Sequence, residues 1–151
     1  MITVKVVTLS HYDQSFALPS YETSGAAGAD VRACLGNGEK MIIKPGERVL
    51  VPTGLSMEIP HGYEIQVRPR SGLSLKTKLR VTNSPGTIDS CYRGELKIIM
   101  ENTGEDGVHI VSGDRVAQIV LCEVPKIEWQ EVQELTETDR GEGGFGSTGT
   151  K

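Results

Sequence analysis

Short runs of alternating apolar and polar residues cover most of the chain, and no helical period of useful length interrupts them. Tyr63, Ile65 and Val67 point one way while Glu64, Gln66 and Arg68 point the other, the period of two expected of a half-buried strand. Leu55, Met57 and Ile59 alternate with Ser56 and Glu58, and Ala29, Val31 and Ala33 with Asp30 and Arg32. Further strands are expected over 2–7, 41–43, 49–51, 96–100, 108–111 and 127–132, and residues 115–122 are apolar enough for burial on both faces. Gly36-Asn37-Gly38, Pro45-Gly46, Pro60-His61-Gly62 and Ser112-Gly113-Asp114 mark turns between them. Residues 71–77 have room for one short helical turn. Many short strands separated by turn signals roughly every 8–12 residues predict an all-β sandwich or barrel. The expected division is a β domain over 1–135, followed by a flexible, polar, Gly-rich C-terminal arm over 136–151 with nothing to pack against.

Length and composition narrow this further. A chain of 151 residues fits one domain. Hydrophobic residues are 37% and charged residues 24%, the balance of a soluble globular protein. No apolar run approaches the length that spans a bilayer, so no membrane role is expected. MITVKVVTLS lacks the basic start and apolar block of a signal peptide, which points to a cytoplasmic protein. Cys34, Cys91 and Cys122 are isolated, as are His11, His61 and His109, so neither a disulfide framework nor a zinc site is indicated. A net charge of −4 argues against a general nucleic-acid-binding role. With 18 glycines, two Phe and one Trp, the core must be mostly aliphatic, a composition for which oligomerisation helps.

Candidate chemistry concentrates in a few places. Ser84-Pro85-Gly86 is a turn signal flanked by Val81-Thr82 and Thr87-Ile88, so the stretch reads as a β-hairpin. Its tip carries the amide of Asn83, its returning arm the carboxylate of Asp89, and Tyr92 follows three residues on. In isolation an ordinary hairpin with a capping aspartate explains these residues equally well. From Ile65 to Ile88 there is no acidic residue, yet Arg68, Arg70, Lys76, Lys78 and Arg80 all occur. Within that basic zone Arg70-Ser71-Gly72 offers a guanidinium, a hydroxyl and a close-approaching backbone to an anion. Asp30 lies on the polar side of its strand, and Gln118 interrupts an apolar one; a turn carboxylate and a satisfied core amide are the plainer readings of these two. The end of the chain, from Arg140 to Gly149, combines glycines with Ser147, Thr148 and a lone aromatic, Phe145, a set suited to phosphate oxygens and a flat ring.

Five segments in series resemble the motifs of the trimeric dUTP diphosphatases (dUTPases). They are Ala27-Gly28-Ala29-Asp30, Arg70-Ser71-Gly72, Asn83 through Glu95, Arg115-Val116-Ala117-Gln118, and Arg140 through Gly149. The resemblance runs from about residue 19 to the C-terminus. It implies a jelly-roll-like β fold, a homotrimer with shared active sites, and hydrolysis of dUTP to dUMP and pyrophosphate with Mg²⁺ on the triphosphate. The dUMP would supply thymidylate synthesis. By that likeness Asp89 is the catalytic base for a water attacking the α-phosphorus, and Tyr92 lies under the deoxyribose. Asn83, the backbone of Gly86, Thr87, Ile88 and Asp89, and the strand near Lys97 would read uracil. Arg70, Ser71, Gly72 and Gln118 would contact phosphates, and Asp30 would hold a water on the Mg²⁺. The arm of a neighbouring chain would close the site, with Phe145 stacked on uracil, Arg140, Ser147 and Thr148 on the γ-phosphate, and Gly146 also contacting the substrate.

Two departures stand out. Thr77-Lys78-Leu79 occupies a place where many relatives carry His-Gly, and Cys91 sits inside the catalytic segment. Competing readings are a dCTP deaminase, which shares the general fold; a nucleotide-sensing module without turnover; and a structural jelly roll, which accounts for the strands but not the tail.

Overall fold

The structure is a computed structural model that describes residues 1–36 and 38–144. Among the described residues, ten strands and one short helix follow in the order β1 (Lys5–Thr8), β2 (Ala29–Arg32), β3 (Lys40–Ile43), β4 (Arg48–Glu58), β5 (Tyr63–Arg68), α1 (Ser71–Lys76), β6 (Leu79–Val81), β7 (Gly86–Ile88), β8 (Glu95–Asn102), β9 (Val108–Val111) and β10 (Arg115–Glu123). Two four-stranded sheets, β1-β4-β8-β6 and β2-β10-β5-β7, are joined by a two-stranded β3-β9 ribbon. Each pairing is antiparallel, and the arrangement is a jelly roll. Among the described residues no helix is long and apolar enough to cross a membrane.

Alternation decides which side chains enter the core. Leu96, Ile98 and Met100 of β8 are buried, as are Ile65 and Val67 of β5, Val31 of β2 and Ile119 of β10. In β10 the alternation slips, with Val116 and Ala117 both buried. Arg115 pairs with Arg32 while Ala117 pairs with Val31, so Val116 is an extra residue on one strand. Such a bulge resets which face each side chain occupies. A similar slip bends β4 between Pro52 and Ser56. Gly54 at the bend has φ +69°, and a Cβ there would meet Tyr12 at 3.0–3.1 Å. Both the conformation and the space require glycine.

Three expectations are corrected. Residues 49–51 and 55–59 are not separate strands but lie largely within one, β4, which carries Pro52 without breaking. Residues 127–132 form no strand, and every residue from 125 to 142 is exposed; an apolar alternation makes a strand only where an edge exists to pair with it. The third correction concerns the segment that carries Asn83 and Asp89. Its two arms do not form a hairpin: β6 pairs with β8 in one sheet and β7 with β5 in the other.

Candidate active site

That divergence creates the site. β6 and β7 are the edge strands of opposite sheets, so the turn at 82–85 crosses between sheets and its arms stand apart. An edge strand has unpaired N–H and C=O groups on its open side, and here β7 presents them to a gap rather than to β6. The gap is a cavity of about 450 Å³. Of the residues expected to read a nucleoside, Asn83, Gly86, Thr87, Ile88, Asp89, Tyr92 and Lys97 all line it. Gly86 is needed for this shape, because a Cβ there would meet the Asn83 amide nitrogen at 3.0 Å and Val67 Cβ at 3.4 Å. Asp89 stands exposed at the end of β7. Cys91 is also exposed, in a smaller recess beside His61.

Tyr92 turns back over the short loop into β8 and donates its hydroxyl to the Glu95 carbonyl at 3.0 Å. Gly94 makes room for the ring: a Cβ at that position would collide with the Tyr92 hydroxyl and Cζ. The Glu95 carboxylate accepts the Gly54 N–H at 2.8 Å and lies 2.9 Å from His11 Nε2. Lys97 Nζ is 3.5 Å away.

Burial alone would push the Glu95 carboxyl up, but the Gly54 N–H, His11 and Lys97 outweigh it and hold the group below the ordinary carboxylate value. Because the folded chain binds this proton more weakly than the unfolded chain, the ionised carboxylate contributes stability above the unfolded value. That contribution drains away as pH falls through the lower folded value. Thermal unfolding of the wild type and Glu95→Gln should therefore differ most near neutrality and converge below the ordinary glutamate range of about 4 to 5. A melting-temperature difference that is constant across this range would contradict the assignment.

A second cluster lies elsewhere on the chain. Arg70, just before α1, donates Nε–H to Asp30 Oδ1 at 2.9 Å, and Arg115 donates to Asp30 Oδ2 at 3.0 Å. Arg70 also donates to the Arg115 carbonyl at 3.1 Å. Gln118, opposite Asp30 across the ladder, donates its amide to the Pro69 carbonyl at 2.9 Å. Gly28 packs so closely on the Gln118 side-chain oxygen that any Cβ would strike it. Arg70, Gly72 and Arg115 face a depression of about 410 Å³ that shares no lining residue with the first cavity. Ser71 is exposed at the start of α1.

The residues expected to serve one reaction thus fall into two groups. Within one chain, the residues expected to read a nucleoside line one cavity, whereas Arg70 and Gly72, expected on phosphates, line another. Arg140 is exposed, and its Nε–H reaches the Gly143 carbonyl at 2.6 Å, within its own segment. Phe145, Gly146, Ser147 and Thr148 lie outside the described residues. Thr77 has a local role in place of the expected His-Gly: its hydroxyl donates to the Leu73 carbonyl at 2.8 Å and accepts the Leu79 N–H at 3.1 Å, closing α1.

Leu50, Val67, Glu95 and Ile99 also line the first cavity; of these only Glu95 falls within the segment from Asn83 to Glu95, and the sequence assigns none of them a role. Three are apolar strand residues, which sequence alone cannot separate from core. Glu95 carries no local signal either, since a carboxylate directly after Arg93-Gly94 reads as a surface turn.

Fold and cavity together define a jelly-roll protein with a slot of about 450 Å³ beside β7 and a separate arginine-rich cluster around Asp30. The dUTPase family model matches residues 14–149, so the chain belongs to the dUTPase family. It is 51% identical over 149 residues to the deoxyuridine 5'-triphosphate nucleotidohydrolase of Roseobacter denitrificans, covering 99% of this chain and 97% of that protein. The enzyme of the same name from Anaplasma marginale is 47% identical over 150 residues, 99% of this chain and 100% of that one. Among solved structures, the G164S mutant of the Staphylococcus bacteriophage 80alpha dUTPase, determined with dUpNHpp, superposes with a TM-score of 0.84. It is 26% identical, with 97% of this chain and 98% of that chain covered.

Proposed function

We infer that this chain hydrolyses dUTP to dUMP and pyrophosphate, with uracil and deoxyribose seated in the gap beside β7. The observation that carries the reading is the divergence of β6 and β7, which lines one slot with the seven nucleoside-reading residues named above. Uracil offers an N–H donor between two carbonyl acceptors, a pattern that the fixed backbone groups of an edge strand and the Asn83 amide can match. Cytosine reverses part of that pattern and would leave buried polar groups unpaired, a discrimination far stronger than apolar fit gives. The Tyr92 ring under the sugar leaves no room for a 2′-hydroxyl.

Asp89 orients a water and takes one of its protons as the water oxygen bonds to the α-phosphorus. The bond from the α-phosphorus to the bridging oxygen breaks, and pyrophosphate leaves. Arg70, Ser71, Gly72 and Gln118 bind phosphate oxygens. Since Arg70 and Gly72 line a different cavity from Asp89 in one chain, the complete site draws the phosphate-binding residues from a neighbouring copy, in a homotrimer with shared sites. The arm over 136–151 of a further copy closes the site through Arg140, Phe145, Gly146, Ser147 and Thr148, excluding water.

Among the described residues no group of three or more His, Cys, Asp or Glu side chains can hold a metal ion. Asp30 is a single carboxylate with each oxygen already engaged by one guanidinium. That donor set fits a Mg²⁺ ion held chiefly by the triphosphate, with Asp30 bonding one of its waters, and does not fit an ion resident on the protein. When bound, Mg²⁺ neutralises charge on the triphosphate and favours departure of pyrophosphate. A cytoplasmic location agrees with the three free thiols.

Incubation with dUTP, dTTP, dCTP and UTP in turn, with pyrophosphate and ammonia assayed, tests the reading. Pyrophosphate is expected from dUTP, with the other three poor substrates. Ammonia from dCTP would make the protein a deaminase instead, and no product from dUTP would overturn the proposal.

A further inference from the structure

Glu95 lines the cavity, yet none of the roles above uses it. Its side chain is only 12% exposed, and a carboxylate is kept out of water only where other groups satisfy it. Here it joins three parts of the chain. Oε1 meets Gly54 in the bend of β4 and His11 in the N-terminal segment, while Oε2 faces Lys97. The same residue's carbonyl holds the Tyr92 hydroxyl. The Tyr92 ring is 45% exposed and is separated from its anchor by a single turn with glycine at its centre.

We propose that Glu95 is a positioning residue for sugar discrimination: by pinning the start of β8 to the β4 bend, it fixes the carbonyl that sets where the Tyr92 ring lies. The inference rests on the reading of this cavity as the deoxyuridine site. It requires no contact between Glu95 and substrate. A carboxylate that served only to stabilise the fold would, on removal, weaken dUTP and UTP hydrolysis by the same factor. One that places the ring under the sugar changes their ratio.

The test is the ratio of kcat/KM for dUTP to that for UTP, measured with Mg²⁺ for the wild type, Glu95→Ala, Glu95→Gln and Tyr92→Phe. Glu95→Ala should lower the ratio about tenfold or more, since small misplacements of a positioning group carry large rate penalties. Glu95→Gln keeps an oxygen to accept the Gly54 N–H and should retain most of the discrimination. Tyr92→Phe keeps the ring but loses the tether, and should lower the ratio in the same direction. In the Tyr92→Phe background, Glu95→Ala should add little, because both changes cut the same link. An unchanged ratio in Glu95→Ala overturns the proposal, whatever happens to the absolute rates. Should that variant not fold, an unchanged ratio in Tyr92→Phe overturns it equally. A wild type that hydrolyses dUTP and UTP alike, or neither, would overturn the reading of the cavity itself and this inference with it.

Discussion

Replacing Asp89 by asparagine is expected to cut turnover of dUTP by about 10²- to 10⁴-fold, the usual worth of a positioned general base. The substitution keeps the size and planarity of the side chain and removes only its ability to accept a proton. Asp89 stands exposed at the end of β7, and the slot beside it is shaped by Asn83, Gly86 and the β7 backbone. The pocket should therefore survive the change. Removing a negative charge from beside a polyphosphate also relieves repulsion. Binding of a nonhydrolysable dUTP analogue, followed by calorimetry, should accordingly be as tight as in the wild type or tighter. Loss of kcat with retained affinity would assign Asp89 to the chemical step. Equal loss of both would make it a structural member of the loop, and unchanged turnover would remove it from the mechanism.

The site was legible in unequal degrees. Asn83, Asp89 and Tyr92 were visible because three kinds of chemistry crowd into ten residues. The shape that unites them was misread, because Ser84-Pro85-Gly86 makes the same turn whether its arms pair or part. What decides is the partner of each arm, β8 for Leu79–Val81 and β5 for Gly86–Ile88, and such pairings are long-range. Similarly, Gln118 stands out as an amide in an apolar strand, and Asp30 as a carboxylate on the polar side of an alternating one. That Arg70 and Arg115 converge on Asp30 depends on a register and a bulge in β10 that no local pattern announces. Glu95 was hidden for the opposite reason: a carboxylate after an Arg-Gly turn looks like surface, and only the bend of β4 at Gly54 gives it a buried partner. The alternation of Ile127 and Trp129 suggested a strand, but both side chains are exposed in the single chain. Periodicity reports that a segment can bury one face, without saying against which molecule.

Deleting residues 140–151 is expected to lower turnover of dUTP by about a hundredfold or more, as loss of a closing and positioning element does in other enzymes. The β domain should be untouched, because residues 125–142 are exposed in the chain itself and support nothing in the core; melting temperature checks this. A stronger test mixes two inactive proteins. The Asp89→Asn chain has a sound arm and the truncated chain has a sound carboxylate, so neither alone builds a complete site. In a closed trimer where Asp89 and the arm come from different copies, random co-assembly of equal amounts makes about a quarter of the sites complete. Co-refolding or co-expression should then restore roughly that fraction of wild-type activity. If each site takes its carboxylate and its arm from one chain, no mixture can combine them, and activity will stay at the sum of the two residual rates. Restoration would also separate this arrangement from an arm that acts only by stabilising its own domain, since that benefit could not be lent to a partner's catalytic carboxylate.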